Sequence, residues 1–161
     1  MKKAIIPLQL IFNLNSKLFL NATEKVTDEM AVIRPDDQIN NVVFISAHLL
    51  DARYYISDML DLKVVNPFKD VFEKVSRVED SDQLPGLSKI RSTWVEVSQK
   101  LSDHLTTLPE EILNRKASFK FPVTDDTVLG AITFLISHES YHLGQLGILR
   151  KYLDLPAMKY D

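Results

Sequence analysis

Apolar residues recur at helical spacing in four separate stretches of the chain, with long polar tracts between them. Over residues 8–23, Ile11, Leu14, Leu18 and Ala22 step by three and four, and Phe12 and Phe19 widen the stripe. This predicts a surface helix with one buried face. The next tract closes on Arg34-Pro35-Asp36-Asp37, where the proline disfavours helix in the residue before it. A second helix is expected over 38–60, with Phe44, Ile45, Ala52, Tyr55, Ile56 and Met59 on the face that also carries His48.

Over 63–86 the periodicity weakens to Phe68, Val71, Phe72 and Val75, enough for a short helix after Pro67 or for padding over the mouth of a bundle. The third helix follows Pro85-Gly86 and runs to Pro109, with Ile90, Trp94, Val97, Leu101, Leu105 and Leu108 down one stripe. Residues 118–123 alternate like a strand, but the run is short, isolated and interrupted by Pro122, so an extended loop is expected. The fourth helix is predicted to start at Thr124 or Asp125 as N-cap, with Asp125 and Asp126 at the positive end of its dipole, and to end near Leu155-Pro156.

Four helices with no repeat and no clear sheet predict an all-α chain, a single-domain four-helix bundle spanning residues 1–161. Connections of roughly 16 to 25 residues exceed the roughly 2 to 8 that antiparallel neighbours need. At about 3.3 Å per residue they can run the length of a helix, so long crossover connections and parallel neighbours are allowed.

Composition narrows the chemistry. The chain of 161 residues is 45% hydrophobic, long enough to bury one core without staples. It contains no cysteine, which excludes disulfides, thiolate-bound zinc, iron–sulfur clusters and a cysteine nucleophile. With a net charge of −3 and scattered basic residues, it lacks the concentrated positive face that nucleic acid requires. The basic, apolar N-terminus is broken by Pro7, Gln9, Asn13 and Asn15, unlike a signal peptide, and no stretch approaches a membrane span of about 20 apolar residues. A soluble cytoplasmic protein, without nucleic-acid or membrane partners, is the expectation.

Metal chemistry in such a chain falls to histidine. His138 and His142 stand one helical turn apart, and at about 100° per residue they share a sector with Ala131, Leu135, Gln145 and Leu149. They point where the core-facing leucines point. His48 lies on the apolar face of the second helix, beside Ala52, which leaves space a turn away. Two imidazoles from one helix and one from another compose a reasonable three-histidine site, and neutral imidazole suits zinc, nickel, iron or copper alike. His104, near the end of the third helix, has no partner histidine a turn away and is read as structural or solvent-facing, against the terminal carbonyls of its helix.

His138-Glu139-Ser140-Tyr141-His142 also satisfies the H-E-x-x-H pattern of zinc proteases. However, no His or Glu follows His142, and Asp154 lies too far along the same helix to fold back onto a shared metal. Glu139 is therefore read as a bystander to the metal, pairing with another helix or facing water. Tyr55 and Gln145 are candidates to shape the chemistry from the ligand-bearing faces, and Tyr141 to line the mouth. Asp51 is a candidate to orient an imidazole or to sit at the surface.

His138-x-x-x-His142-x-Gly144-Gln145 with the following Leu155-Pro156, together with Val43-Phe44-Ile45-Ser46-Ala47-His48-Leu49 upstream, resembles the last and second helices of the DinB-like (DinB/YfiT) superfamily. The likeness in helix order and connections covers essentially the whole chain. It implies His48, His138 and His142 as the ligands of a divalent metal, zinc, nickel or iron, in a bundle that forms a homodimer. It also implies a small-molecule substrate, since the family includes S-transferases acting on low-molecular-weight thiols. A metal-dependent enzyme activating such a thiol, or water, is the leading expectation. A non-catalytic metal-stabilised stress-response or binding module, and a metal-free interaction bundle, remain open beside it. A coordination position facing a cavity would favour the enzyme.

Overall fold

The computed structural model describes residues 2–160, with side chains from Ile5 onward. Four long helices carry the fold: α1 (Lys2–Ala22), α2 (Val42–Met59), α3 (Leu87–Thr107) and α4 (Val128–Tyr152). Short helical turns at Asp28–Ala31, Lys69–Lys74, Val78–Gln83 and Glu110–Asn114 punctuate the connections. Among the described residues there is no strand, only one isolated bridge between Lys116 and Thr127, so 118–123 is a loop as expected.

The helix starts depart from the expectations for identifiable reasons. α1 runs straight through Pro7, whose fixed φ is already helical and whose missing N–H forfeits one bond near the helix start. α2 begins at Val42 because Asn41 caps it, its side-chain oxygen accepting from Phe44 N at 2.9 Å. Asn41 Nδ2 also donates to Ser81 Oγ at 2.8 Å, which ties the cap to the connection that follows α2. α4 is capped by Thr127, because Asp125 instead accepts from Thr127 N and organises the preceding turn.

The principal contacts form a square in which α1 packs on α3 and α4, and α2 packs on the same two. Asn15 reaches Ile136 O and Arg150 reaches Ala22 O, so α1 and α4 run the same way. Gln9 with Ser102, and Arg91 with Thr23, set α1 against α3. Arg53 with Ser98, and His104 with Leu60, make α2 and α3 parallel, while Arg53 with Glu139 makes α2 and α4 antiparallel. The order is up-down-down-up.

Only residues 60–86 therefore travel the length of the bundle. The other two long connections span a diagonal at one end, a narrower role than the expected set of crossovers. The climbing segment lays Lys69–Lys74 and Val78–Gln83 against α2, on the side where His48 emerges. The core between the helices is mostly apolar, with Phe12, Phe19, Leu49, Leu50, Leu87, Ile90, Trp94, Leu101, Ile132 and Leu146 fully or nearly fully buried. None of the described helices is long and apolar enough to cross a membrane.

Candidate metal centre

Antiparallel packing of α2 on α4 brings His48 against the turn that holds His138 and His142. The ring centroids lie 5.2 Å apart for His48 and His138, 4.9 Å for His48 and His142, and 4.4 Å for His138 and His142. One donor nitrogen from each ring can be chosen so that all three lie within 4.8 Å of one another. His138 Nε2 and His142 Nε2 are 3.0 Å apart. Two nitrogens on one tetrahedral zinc at about 2.0–2.1 Å stand about 3.3 Å apart, so this pair is already close to chelating geometry.

The surroundings hold the rings in the form a metal needs. His142 Nδ1 meets Gln145 Oε1 at 2.6 Å, and since that oxygen only accepts, Nδ1 carries the hydrogen and Nε2 presents its lone pair. Gln145 Nε2 donates in turn to the Tyr141 hydroxyl at 3.1 Å, fixing the amide. With a lone pair on His142 Nε2 facing His138 Nε2 at 3.0 Å, the pair requires a proton or a cation between them. His138 is further held by Phe134 stacked at 5.8 Å, and its Nδ1 is buried without a partner among the described residues.

Burial, and secondarily the nearby His142 and His138, push the His48 pKa down to about 4. His48 is exposed toward a cleft, yet the protein around the rest of its ring still disfavours the charged form. Burial and then His142 lower His138 as well. Neutral imidazoles are the metal-binding form, and the donor set fits a divalent ion such as zinc, nickel or iron. Among the described residues no fourth His, Asp or Glu donor converges with the trio.

His48 opens onto a cleft of about 160 Å³ between α2 and the climbing connection, walled by Phe44, Phe72, Val75 and Leu84, with Asp51 and Ser76 as its other polar groups. Asp51 does not orient an imidazole. It accepts from Asn66 Nδ2 at 3.0 Å, and partial burial raises its pKa.

Tyr55 stands away from the trio. Its ring lies 6.3 Å from Phe119 and 6.4 Å from Phe121, and Phe121 leads through Phe134 to His138. It belongs to an aromatic wall two rings from the nearest ligand, because its helix turns it toward the 118–123 loop. Gln145 and Tyr141, by contrast, do reach the site, Gln145 directly on His142 and Tyr141 through Gln145. His104 Nε2 meets Leu60 O at 2.8 Å, so it joins the end of α2 rather than its own helix terminus.

Of the two readings open to Glu139, pairing with another helix is the one the structure shows, and it does not face water. Its two oxygens take Arg53 Nε at 2.7 Å and Nη2 at 2.9 Å, and the side chains are 3% and 0% exposed. The guanidinium is sandwiched between Phe12 and Trp94, 3.8 Å from each ring centroid, and Nη1 donates to Ser16 and Ser98. One buried ion pair thus joins all four helices beside the trio. A sequence signal existed: Arg53 falls in the Ser46–Leu49–Arg53–Ile56 core stripe of α2, and Glu139 in the Ile132–Ile136–Glu139–Leu143 stripe of α4. Opposite charges at core register on two helices point to each other.

The sequence profile described as the DinB superfamily matches residues 12–146, which include all four long helices in whole or in large part. No curated protein matches the chain.

Proposed function

This chain belongs to the DinB superfamily, and from that premise we propose that it is a metal-dependent enzyme whose His48, His138 and His142 hold one divalent ion beside a substrate cleft. A low-molecular-weight thiol is its nucleophilic substrate. The observation that carries the reading is the opening of His48 onto the 160 Å³ cleft, while no fourth protein donor converges on the trio among the described residues. A site that only closed the core would have its remaining position filled by the protein.

A divalent ion held by His48, His138 and His142 would supply Lewis acidity that favours the deprotonated form of a thiol or water at neutral pH. The chain's own residues do the rest. Gln145 holds His142 in the tautomer that directs Nε2 inward, and Tyr141 holds Gln145. Phe134 stacks on His138 and steadies its ring. A cysteine-free chain must take its thiol from solution, which suits an open cleft. We propose a homodimer as the assembly, supported by exposed Leu10 and Leu14 on α1 and Tyr141 and Ile148 on α4; light scattering at graded concentration tests it.

The deciding experiment is elemental analysis of untagged protein beside the His48, His138 and His142 to Ala triple variant, followed by a screen of small thiols with electrophilic acceptors. Stoichiometric metal lost in the variant, with transfer abolished by chelation, is the expected result. Protein that neither carries metal nor binds added zinc or nickel, or transfer indifferent to chelation, would overturn the reading.

A further inference from the structure

The cleft beside His48 has apolar walls and one formal charge. Asp51 lies three residues beyond His48, so the two side chains are surface neighbours on α2 and line the same cleft. Its only hydrogen bond comes from the neutral amide of Asn66, and it has no salt-bridge partner among the described residues. The cation that acts on it, Lys69, is exposed and paired to Glu73 at 3.8 Å, and Glu73 acts on Asp51 in the opposite sense. An exposed carboxylate on an apolar-walled cleft, without a salt-bridge partner among the described residues, gives the cleft a negative charge that a cation can meet.

We propose that this cleft recognises the ammonium group of a small amine-bearing ligand, with Asp51 as its counter-ion, Ser76 as a further hydrogen-bonding group and the apolar walls against its carbon chain. This deepens the functional reading above and rests on it for one point, that the other end of the ligand is the thiol presented at the histidine trio; the substrate class is then an aminothiol. The cleft's size suits a molecule or terminal fragment of a few heavy atoms. His48, the histidine of the trio that lines the cleft, and Asp51 mark its two ends: a neutral nitrogen donor for a metal that takes a soft anion, and a carboxylate for an ammonium.

Two measurements separate the amine site from the thiol chemistry. In the first, n-propylammonium and the isosteric 1-propanol are titrated into ¹⁵N-labelled protein. The expected result is shifts centred on Ala47, Asp51 and Ser76, an affinity for the cation at least about tenfold higher than for the alcohol, and loss of that preference in Asp51→Asn. Equal binding of the two probes, an unchanged preference in Asp51→Asn, or shifts centred elsewhere would overturn the amine site.

In the second, protein loaded with cobalt is titrated with 2-aminoethanethiol and 2-mercaptoethanol while the thiolate-to-cobalt absorption band is followed. The expected result is a band with both thiols and tighter binding of the aminothiol, reduced to parity by Asp51→Asn while cobalt uptake is unchanged. A band with both thiols at equal affinity removes the aminothiol assignment and leaves the enzyme reading intact. No band with either thiol removes the thiol chemistry, and the propylammonium titration still decides the amine site.

Discussion

Replacing Glu139 with Gln keeps the shape of the side chain and removes the charge that faces Arg53. The pair is dry, 3% and 0% exposed, so solvent does not screen the loss. Arg53 would keep its bonds to Ser16 and Ser98 and its place between Phe12 and Trp94, but lose its only anion at 2.7 and 2.9 Å. Breaking a buried pair by removing one partner costs about 3–5 kcal/mol. Because Gln still offers one acceptor, the lower end applies, about 3 kcal/mol, a large share of a typical total of about 5–15 kcal/mol. With a urea dependence of about 2 kcal/mol per molar, the unfolding midpoint should fall by about 1.5 M. Urea unfolding followed by circular dichroism measures it, and a cycle of Arg53→Met, Glu139→Leu and Arg53→Met/Glu139→Leu separates pairing from burial. The double variant should be more stable than either single one, with a coupling above about 2 kcal/mol. A loss below about 1 kcal/mol in Glu139→Gln, or additive single effects, would show that the guanidinium finds water or another anion and that the pair does not lock α2 to α4.

Other outcomes follow from the same geometry. Gln145→Leu removes the 2.6 Å acceptor on His142 Nδ1 and should weaken zinc binding about 10- to 100-fold, read by competition with a chromophoric chelator; unchanged affinity would mean that the His142 tautomer is set elsewhere. In chelator-treated protein, His48 titrates at about 4 when folded against about 6.5 when unfolded. The unfolded state therefore binds more protons between those values, and stability should decline as pH falls from about 6.5 to about 4. His48→Ala should flatten that part of the profile, and an equally steep profile in the variant would refute the assignment. Asp154 closes α4 at φ 56°, a left-handed conformation that favours glycine, so Asp154→Gly should leave the melting temperature unchanged or raise it, by up to about 1 kcal/mol in stability. A clear destabilisation would reveal a role for the carboxylate.

The four long helices could be read from the sequence because each must hide one apolar face, and a period of 3.6 writes that face into the spacing. The same spacing put His138 and His142 on one side of α4, whereas His48, expected on the apolar side of α2, emerges exposed at a cleft. The caps were harder to place, since Asn41 and Thr127 compete with equally suitable neighbours, and the choice depended on what each side chain could reach: Ser81 from Asn41, and Thr127 N from Asp125. The aromatic neighbours of Tyr55 are not legible in the spacing, because an angular sector says which way a residue leaves its helix, not which loop lies over it. That Glu139 pairs with another helix could be anticipated, but not with which residue, because its partner is 86 residues away on a helix whose direction the spacing leaves open.

By itself, then, the sequence determined the helices, the faces they bury and the three imidazoles available to a metal, all properties of residues within a few turns of one another. Which helices run alongside one another, that the 60–86 segment alone climbs the bundle and walls a cleft at His48, and that Arg53 and Glu139 meet in the core were decided only by the tertiary structure. Those outcomes depend on contacts between distant segments. Helical periodicity fixes a residue's direction around its own axis but carries no information about the direction or neighbour of the helix packed against it.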